Sequence, residues 1–161
     1  MAKIKNTKTI RFKEAVESCP EIKDNLQKGL SAMGANSKAI KATDTKLIDG
    51  SVDIDNAVKA LYPNDARWDY VIGFANEAFF VEVHPADTKN VTEMVEKVKW
   101  LKKWLSASAP MLKELHKSGD FFWIPSGRVK ISKGSIQFKQ IAANNIQIKK
   151  QLKLLCSYRA P

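Results

Sequence analysis

The sequence predicts an α/β fold of mixed α+β type, one central mixed β-sheet flanked by helices. Three observations predict it. Two short apolar runs, Tyr70–Phe74 and Ala78–Val81, are rich in aromatic and β-branched residues and are separated by the turn-like Ala75-Asn76-Glu77, so they read as adjacent strands of a hairpin. Their near-continuous apolarity predicts a sheet covered on both faces. Residues 91–105 then repeat apolar side chains at helical spacing, and Phe121–Ile124 reads as a further strand. At 161 residues the chain fits a single domain with a proper core.

Taken in order, residues 1–13 form a basic arm with five Lys/Arg and no acid, with room for a short strand. A helix is predicted from Ser18, with Ser18 as cap, Pro20 in the first turn, Ile22, Leu26, Leu30 and Met33 as its inward stripe, and Gly34 as its stop. Residues 35–50 are polar and turn-rich and read as a loop. Gly50–Asp55 reads as a short first strand, followed by a helix over Asn56–Tyr62 capped by Asp55. Asp53 and Asp55 read as capping residues rather than metal ligands. After the hairpin, Pro85 ends the second strand. A long helix follows from Val91 to Leu105, with Val91, Met94, Val95, Val98, Leu101 and Leu105 inward. Trp100 and Trp104 widen that face, either as core aromatics or as rings for stacking on bases. A further helix over 106–117 takes Ser108 as cap, Pro110 in its first turns and Gly119 as stop, with His116 near its end where a helix dipole suits it. Arg128–Ile131 reads as a hairpin mate of the strand at 121–124. Ser135–Asn144 reads as a short helix with Ile136 and Ile141 inward, and Gln151–Cys156 as a last strand.

The charge is one-sided at both ends. The formal net charge is +10, residues 121–161 carry eight Lys/Arg and no acid, and the stretch between the two basic ends is slightly acidic. Such asymmetry suits a polyanion, since each phosphate contact releases counterions. Arg128, Lys130, Lys133, Lys139, Lys149, Lys150 and Lys153 are the predicted phosphate contacts, so nucleic acid is the expected partner. No apolar run is long enough for a membrane span, and residues 1–13 lack the apolar stretch of a secretory signal. Cys19 and Cys156 lack metal-type spacing and read as free thiols of a cytoplasmic protein, a bridge between them being the alternative. The chain has no phosphate-binding glycine loop, no dinucleotide fingerprint, no zinc spacing and no G-x-S-x-G elbow. These absences argue against a nucleotide cofactor and against serine-hydrolase chemistry.

The chemistry is predicted in the hairpin. Asp69 opens its first strand, and Glu82 interrupts the second, followed by Val83 and His84. A carboxylate in a buried strand is costly unless compensated. Period-two spacing puts Glu82 and His84 on one face, and antiparallel pairing brings Asp69 towards them. Two carboxylates and an imidazole at a sheet end suit a hard divalent cation. The plainer alternative is a turn aspartate and a solvent-facing glutamate.

An acid on one strand, E-x-K on the next and then a helix resembles the PD-(D/E)XK nuclease-like superfamily, over roughly the central half of the chain. The resemblance implies a restriction-endonuclease-like sheet, Asp69 and Glu82 as ligands of magnesium or manganese, and hydrolysis of a phosphodiester backbone in DNA or RNA. His84 stands where the motif has lysine, and no proline precedes Asp69. The resemblance therefore also implies His84 as ligand or base, or a scaffold that has lost cleavage and binds nucleic acid or protein. Some members carry the missing lysine on the following helix, which points to Lys97. Others bring an acid from their first helix, which points to Glu17, the alternative there being a solvated helix acid.

Overall fold

The computed structural model describes residues 9–155. Residues 1–8 of the basic arm, and Cys156 with its possible bridge to Cys19, lie outside the described residues. The chain forms helix α1 (Phe12–Glu17), strands β1 (Ile40–Ala42) and β2 (Ile48–Asp53), helix α2 (Ile54–Val58), strands β3 (Tyr70–Phe74) and β4 (Glu77–His84), helices α3 (Val91–Ser108) and α4 (Pro110–Glu114), strand β5 (Phe121–Pro125), helix α5 (Ile136–Ala143), and strands β6 (Ile146–Ile148) and β7 (Leu152–Leu154). The sheet runs β2-β3-β4-β5-β6. The first three strands are antiparallel, and β4, β5 and β6 are parallel. This is the predicted fold class, a mixed sheet flanked by helices.

The hairpin forms because Ala75 and Asn76 both take positive φ, 51° and 58°, which is the two-residue turn that matches strand twist. Asn76 Oδ1 also accepts from the Phe12 backbone N–H, tying α1 to the turn. The sheet is covered on both faces, as its apolarity predicts. Val71, Phe80 and Trp123 pack with α1, α3 and α4 on one side. Ile72, Phe79, Val81, Phe122 and Ile124 pack on the other against Met33, Ile40, Leu152 and Leu154. There β1 and β7 form a separate parallel pair, Ile40 opposite Leu152. Gly73 is required where α1 crosses β3, because a Cβ there would overlap the Phe12 ring.

Several elements differ from the sequence prediction. Residues 20–30 form no helix; α1 ends at Glu17, and a turn with positive φ at Gly29 leads into a 3-10 segment, Ser31–Ala39, kinked at Gly34. Gln27 and Ser51 exchange backbone hydrogen bonds of 2.8 and 3.0 Å, a tertiary pairing that outweighs the apolar periodicity. Asp53, not Asp55, caps α2, accepting from the Asn56 N–H at 3.0 Å. α3 runs through to Ser108, so Ser108 does not cap the next helix; Pro110 opens α4 after Ala109. Arg128–Ile131 is not a hairpin mate; Lys130 instead bridges Asp87. Its place beside β5 is taken by β6. Ile136 points outwards at 79 % exposure, while Ile141 is buried. His116 follows α4 and packs against Phe80 and Phe121, with Nε2–H donating to the Asp120 carbonyl at 2.7 Å. Burial holds its pKa below the ordinary value, so it is a neutral core imidazole rather than a cation on a helix dipole.

Candidate active site

β3 and β4 run antiparallel with Tyr70 opposite Val81, so one step further Asp69 stands across from Glu82. Both lie on the sheet face covered by α3. The Asp69 backbone N–H donates to Glu82 Oε2 at 2.8 Å, and Asp69 Oδ2 accepts from the Val83 N–H at 3.1 Å. Glu82 is 1 % exposed. Its compensating cation comes from α3: Lys97 Nζ lies 2.8 Å from Glu82 Oε1 and donates to the Arg67 carbonyl at 2.9 Å. Arg67 is itself fixed by Asp55, Nε to Oδ1 at 2.7 Å.

Burial is the main force on these groups. It pushes the Glu82 carboxyl up to about 8, with the neighbouring Asp69 charge adding to the rise and Lys97 opposing it. Asp69 is also raised, first by burial, against the Val83 hydrogen bond and the Lys97 charge. Burial alone would lower Lys97, but attraction to Glu82, their hydrogen bond and the Asp69 charge carry its pKa above the ordinary lysine value. Lys97 is therefore a resident ammonium at neutral pH. Its role is to orient and to present positive charge, not to accept a proton.

The other predicted site residues are placed as follows. His84 shares the face of Glu82, but its ring turns to α3: Nε2 lies 3.2 Å from Glu93 Oε2, and Nδ1–H donates to the Pro85 carbonyl at 3.0 Å. It does not join the two acids, and no group of three metal-ligating side chains occurs among the described residues. Glu17 lies on the exposed face of α1 with Lys13 at 3.9 Å and is a solvated helix acid. Arg128, Lys130, Lys133, Lys139, Lys149, Lys150 and Lys153 are all exposed. Because β4, β5 and β6 are parallel, the segments after β5 and β6, with Arg128, Lys130, Lys149 and Lys150, emerge at the same sheet end as Glu82. The Lys149 N–H donates to the Trp123 carbonyl, and the Lys130 N–H to that of Ala86. Lys133 precedes α5, Lys139 lies on it, and Lys153 lies on β7.

Sequence reasoning missed Glu93 and Arg67, which hold His84 and Lys97. The signal for Glu93 was its spacing of four before Lys97, which sets both on one face of α3.

Asp69 and Glu82 are two adjacent carboxyl groups, fewer than the three ligating side chains of a preformed metal site. Magnesium is commonly held by one or two carboxylates, with water and substrate phosphate completing its shell. Both Glu82 oxygens already have partners, Lys97 and the Asp69 N–H, while no hydrogen bond among the described residues uses Asp69 Oδ1. No protein-family model, no curated protein and no solved structure matches this chain.

Proposed function

We propose that the protein is a metal-dependent nuclease, or derives from one, and acts on the phosphodiester backbone of DNA or RNA in the cytoplasm. One observation carries this reading: the lysine absent from position 84 is supplied from α3, with Lys97 Nζ 2.8 Å from Glu82 Oε1 beside Asp69. That constellation supports reading the strand–strand–helix pattern as nuclease-like, with the lysine displaced to α3. Asp69 and Glu82 would hold magnesium or manganese, which supplies charge neutralisation for the phosphate and an acidified water. Lys97 fixes the Glu82 carboxylate and offers its one remaining N–H to a water or phosphate oxygen. Between Lys97 and His84 the geometry favours Lys97, because both ring nitrogens of His84 are already directed at acceptors. Arg128, Lys130, Lys149 and Lys150 grip the flanking backbone at the same sheet end, where open α/β sheets hold their ligands.

A second reading, a non-catalytic clamp for nucleic acid or protein on the same scaffold, is favoured by the fact that both Glu82 oxygens already have partners, Lys97 and the Asp69 N–H. Incubation with plasmid and single-stranded substrates, in manganese and in chelator, separates the two. Cleavage that needs the metal and disappears in Asp69→Asn establishes the nuclease. Salt-sensitive binding without cleavage establishes the clamp for nucleic acid, and neither behaviour overturns both nucleic-acid readings.

A further inference from the structure

Beside the acid pair, α3 and the segment before β3 enclose a groove of about 510 Å³ lined by Tyr62, Asp65, Trp100, Trp104, Lys99 and Lys103, among others. We propose that this groove is a nucleobase-stacking subsite for a single-stranded stretch of nucleic acid, with Trp100 as its platform; the proposal rests on the nucleic-acid reading of the adjacent acid pair. Trp100 is half-buried and rigidly held. Its ring stacks on Trp104 at 5.7 Å and 9°, meets Tyr62 edge-on at 5.7 Å, and its Nε1–H donates to Asp65 Oδ2 at 3.1 Å. A ring fixed on three sides meets a ligand without losing further rotamer freedom. Glu96 also lines the groove and pairs with Lys99 at 3.4 Å, which leaves Lys103 as the exposed wall cation for a phosphate beside the ring; an aromatic ring next to a lysine is what single-stranded nucleic acid binds, base on ring and phosphate on ammonium.

The groove is also joined to the site. Asp65, Arg67 and Asp69 lie along one short segment. Asp65 bonds Trp100, the Arg67 carbonyl bonds Lys97, and the Asp69 N–H bonds Glu82. On α3, Lys97 and Trp100 are three residues apart, a rise of about 4.5 Å. A base adjacent to a phosphate held at Asp69 and Lys97 is therefore within reach of Trp100. Base stacking also gives little sequence readout, which predicts cleavage or binding with little base preference at this position.

The experiment is fluorescence anisotropy of labelled single-stranded oligonucleotides in chelator, so that binding is read without cleavage. Oligonucleotides carrying one abasic position, scanned along the strand, are compared on the wild type, Trp100→Leu and Lys103→Gln. On the wild type, one abasic position weakens binding about tenfold. Trp100→Leu weakens the intact strand by a similar factor and becomes indifferent to that abasic position. Lys103→Gln weakens all strands and lowers the salt dependence. Circular dichroism and thermal melting confirm the fold of each variant. If Trp100→Leu is misfolded, quenching of tryptophan emission by the intact but not the abasic strand on the wild type decides the matter. A wild type that binds intact and abasic strands equally, or a folded Trp100→Leu that keeps full abasic sensitivity, overturns the subsite while leaving the proposed function standing. Absence of any binding overturns both.

Discussion

Two glutamates brace α3 from opposite directions, and they do so with different chemistry. Near its C-terminal half, Glu21 accepts from Tyr62 Oη at 2.6 Å and from Trp104 Nε1 at 2.5 Å. Near its N-terminal half, Glu82 accepts from Lys97 at 2.8 Å and from a backbone N–H at 2.8 Å. Glu21 is half-buried and its donors are neutral, so a partly hydrated carboxylate holds two rings in place. Glu82 is buried and its first donor is a full charge, with a second acid beside it. Tying a helix down needs only the first arrangement. The second sets charges against one another in a dry place, which costs stability, and such costs are characteristic of sites that do chemistry.

The largest expected effect comes from removing the buried cation. Lys97→Met removes that counter-charge, drives the Glu82 carboxyl to stay protonated and strands the Arg67 carbonyl; it is expected to lower stability by about 2–4 kcal/mol at pH 9, where the wild-type pair is ionised, read by urea denaturation. The loss should be smaller at pH 5, where Glu82 takes up a proton and needs no counter-charge. An equal loss at both pH values would break the contrast between the two glutamates. Next, Glu21→Ala strands the Trp104 and Tyr62 donors and is expected to cost about 1–3 kcal/mol, read by urea denaturation.

A third expectation concerns the wild type. The Glu82 carboxyl is raised from 4.5 to about 8 in the fold, so the folded state binds the extra proton between those values. Its contribution to stability therefore falls as pH rises through that window, by at most about 1.4 kcal/mol per pH unit. Glu82→Gln, which cannot titrate, should flatten this slope, visible as a smaller difference in urea midpoint between pH 5 and pH 8. The smallest effect lies elsewhere in the core. His116 has a lowered pKa, so the unfolded chain takes its proton first, and stability is lost as pH falls below about 6.5. His116→Phe should remove that acid-side loss, visible as a flatter melting temperature between pH 6 and 5.

The hairpin, α3 and the strand at 121–125 were legible in the sequence because each is signalled locally: a run of aromatic and β-branched residues, a turn asparagine, a regular stripe. The segment after α1 was not. Its apolar residues keep helical spacing, but Gly29 and Gly34 turn left-handed and Gln27 pairs with Ser51, a contact no local pattern records. The β1–β7 pair was equally hidden, since Ile40 meets Leu152 across most of the chain. In the site, Asp69 and Glu82 were legible as acids out of place in apolar strands. The position of Lys97 followed only from the family resemblance, and the turn of His84 towards Glu93 depends on how α3 lies over the strand end. Glu21 gave no signal, because nothing in its neighbourhood of sequence reveals that Tyr62 and Trp104 converge on it.

Glu93, Lys97, Trp100 and Trp104 all lie along one stripe of α3, and each engages a different part of the molecule: His84, Glu82, Asp65 and Glu21. The helix therefore works as a single camshaft. A substitution that rolls or slides α3 at one end is expected to disturb the imidazole, the ammonium and both indoles together.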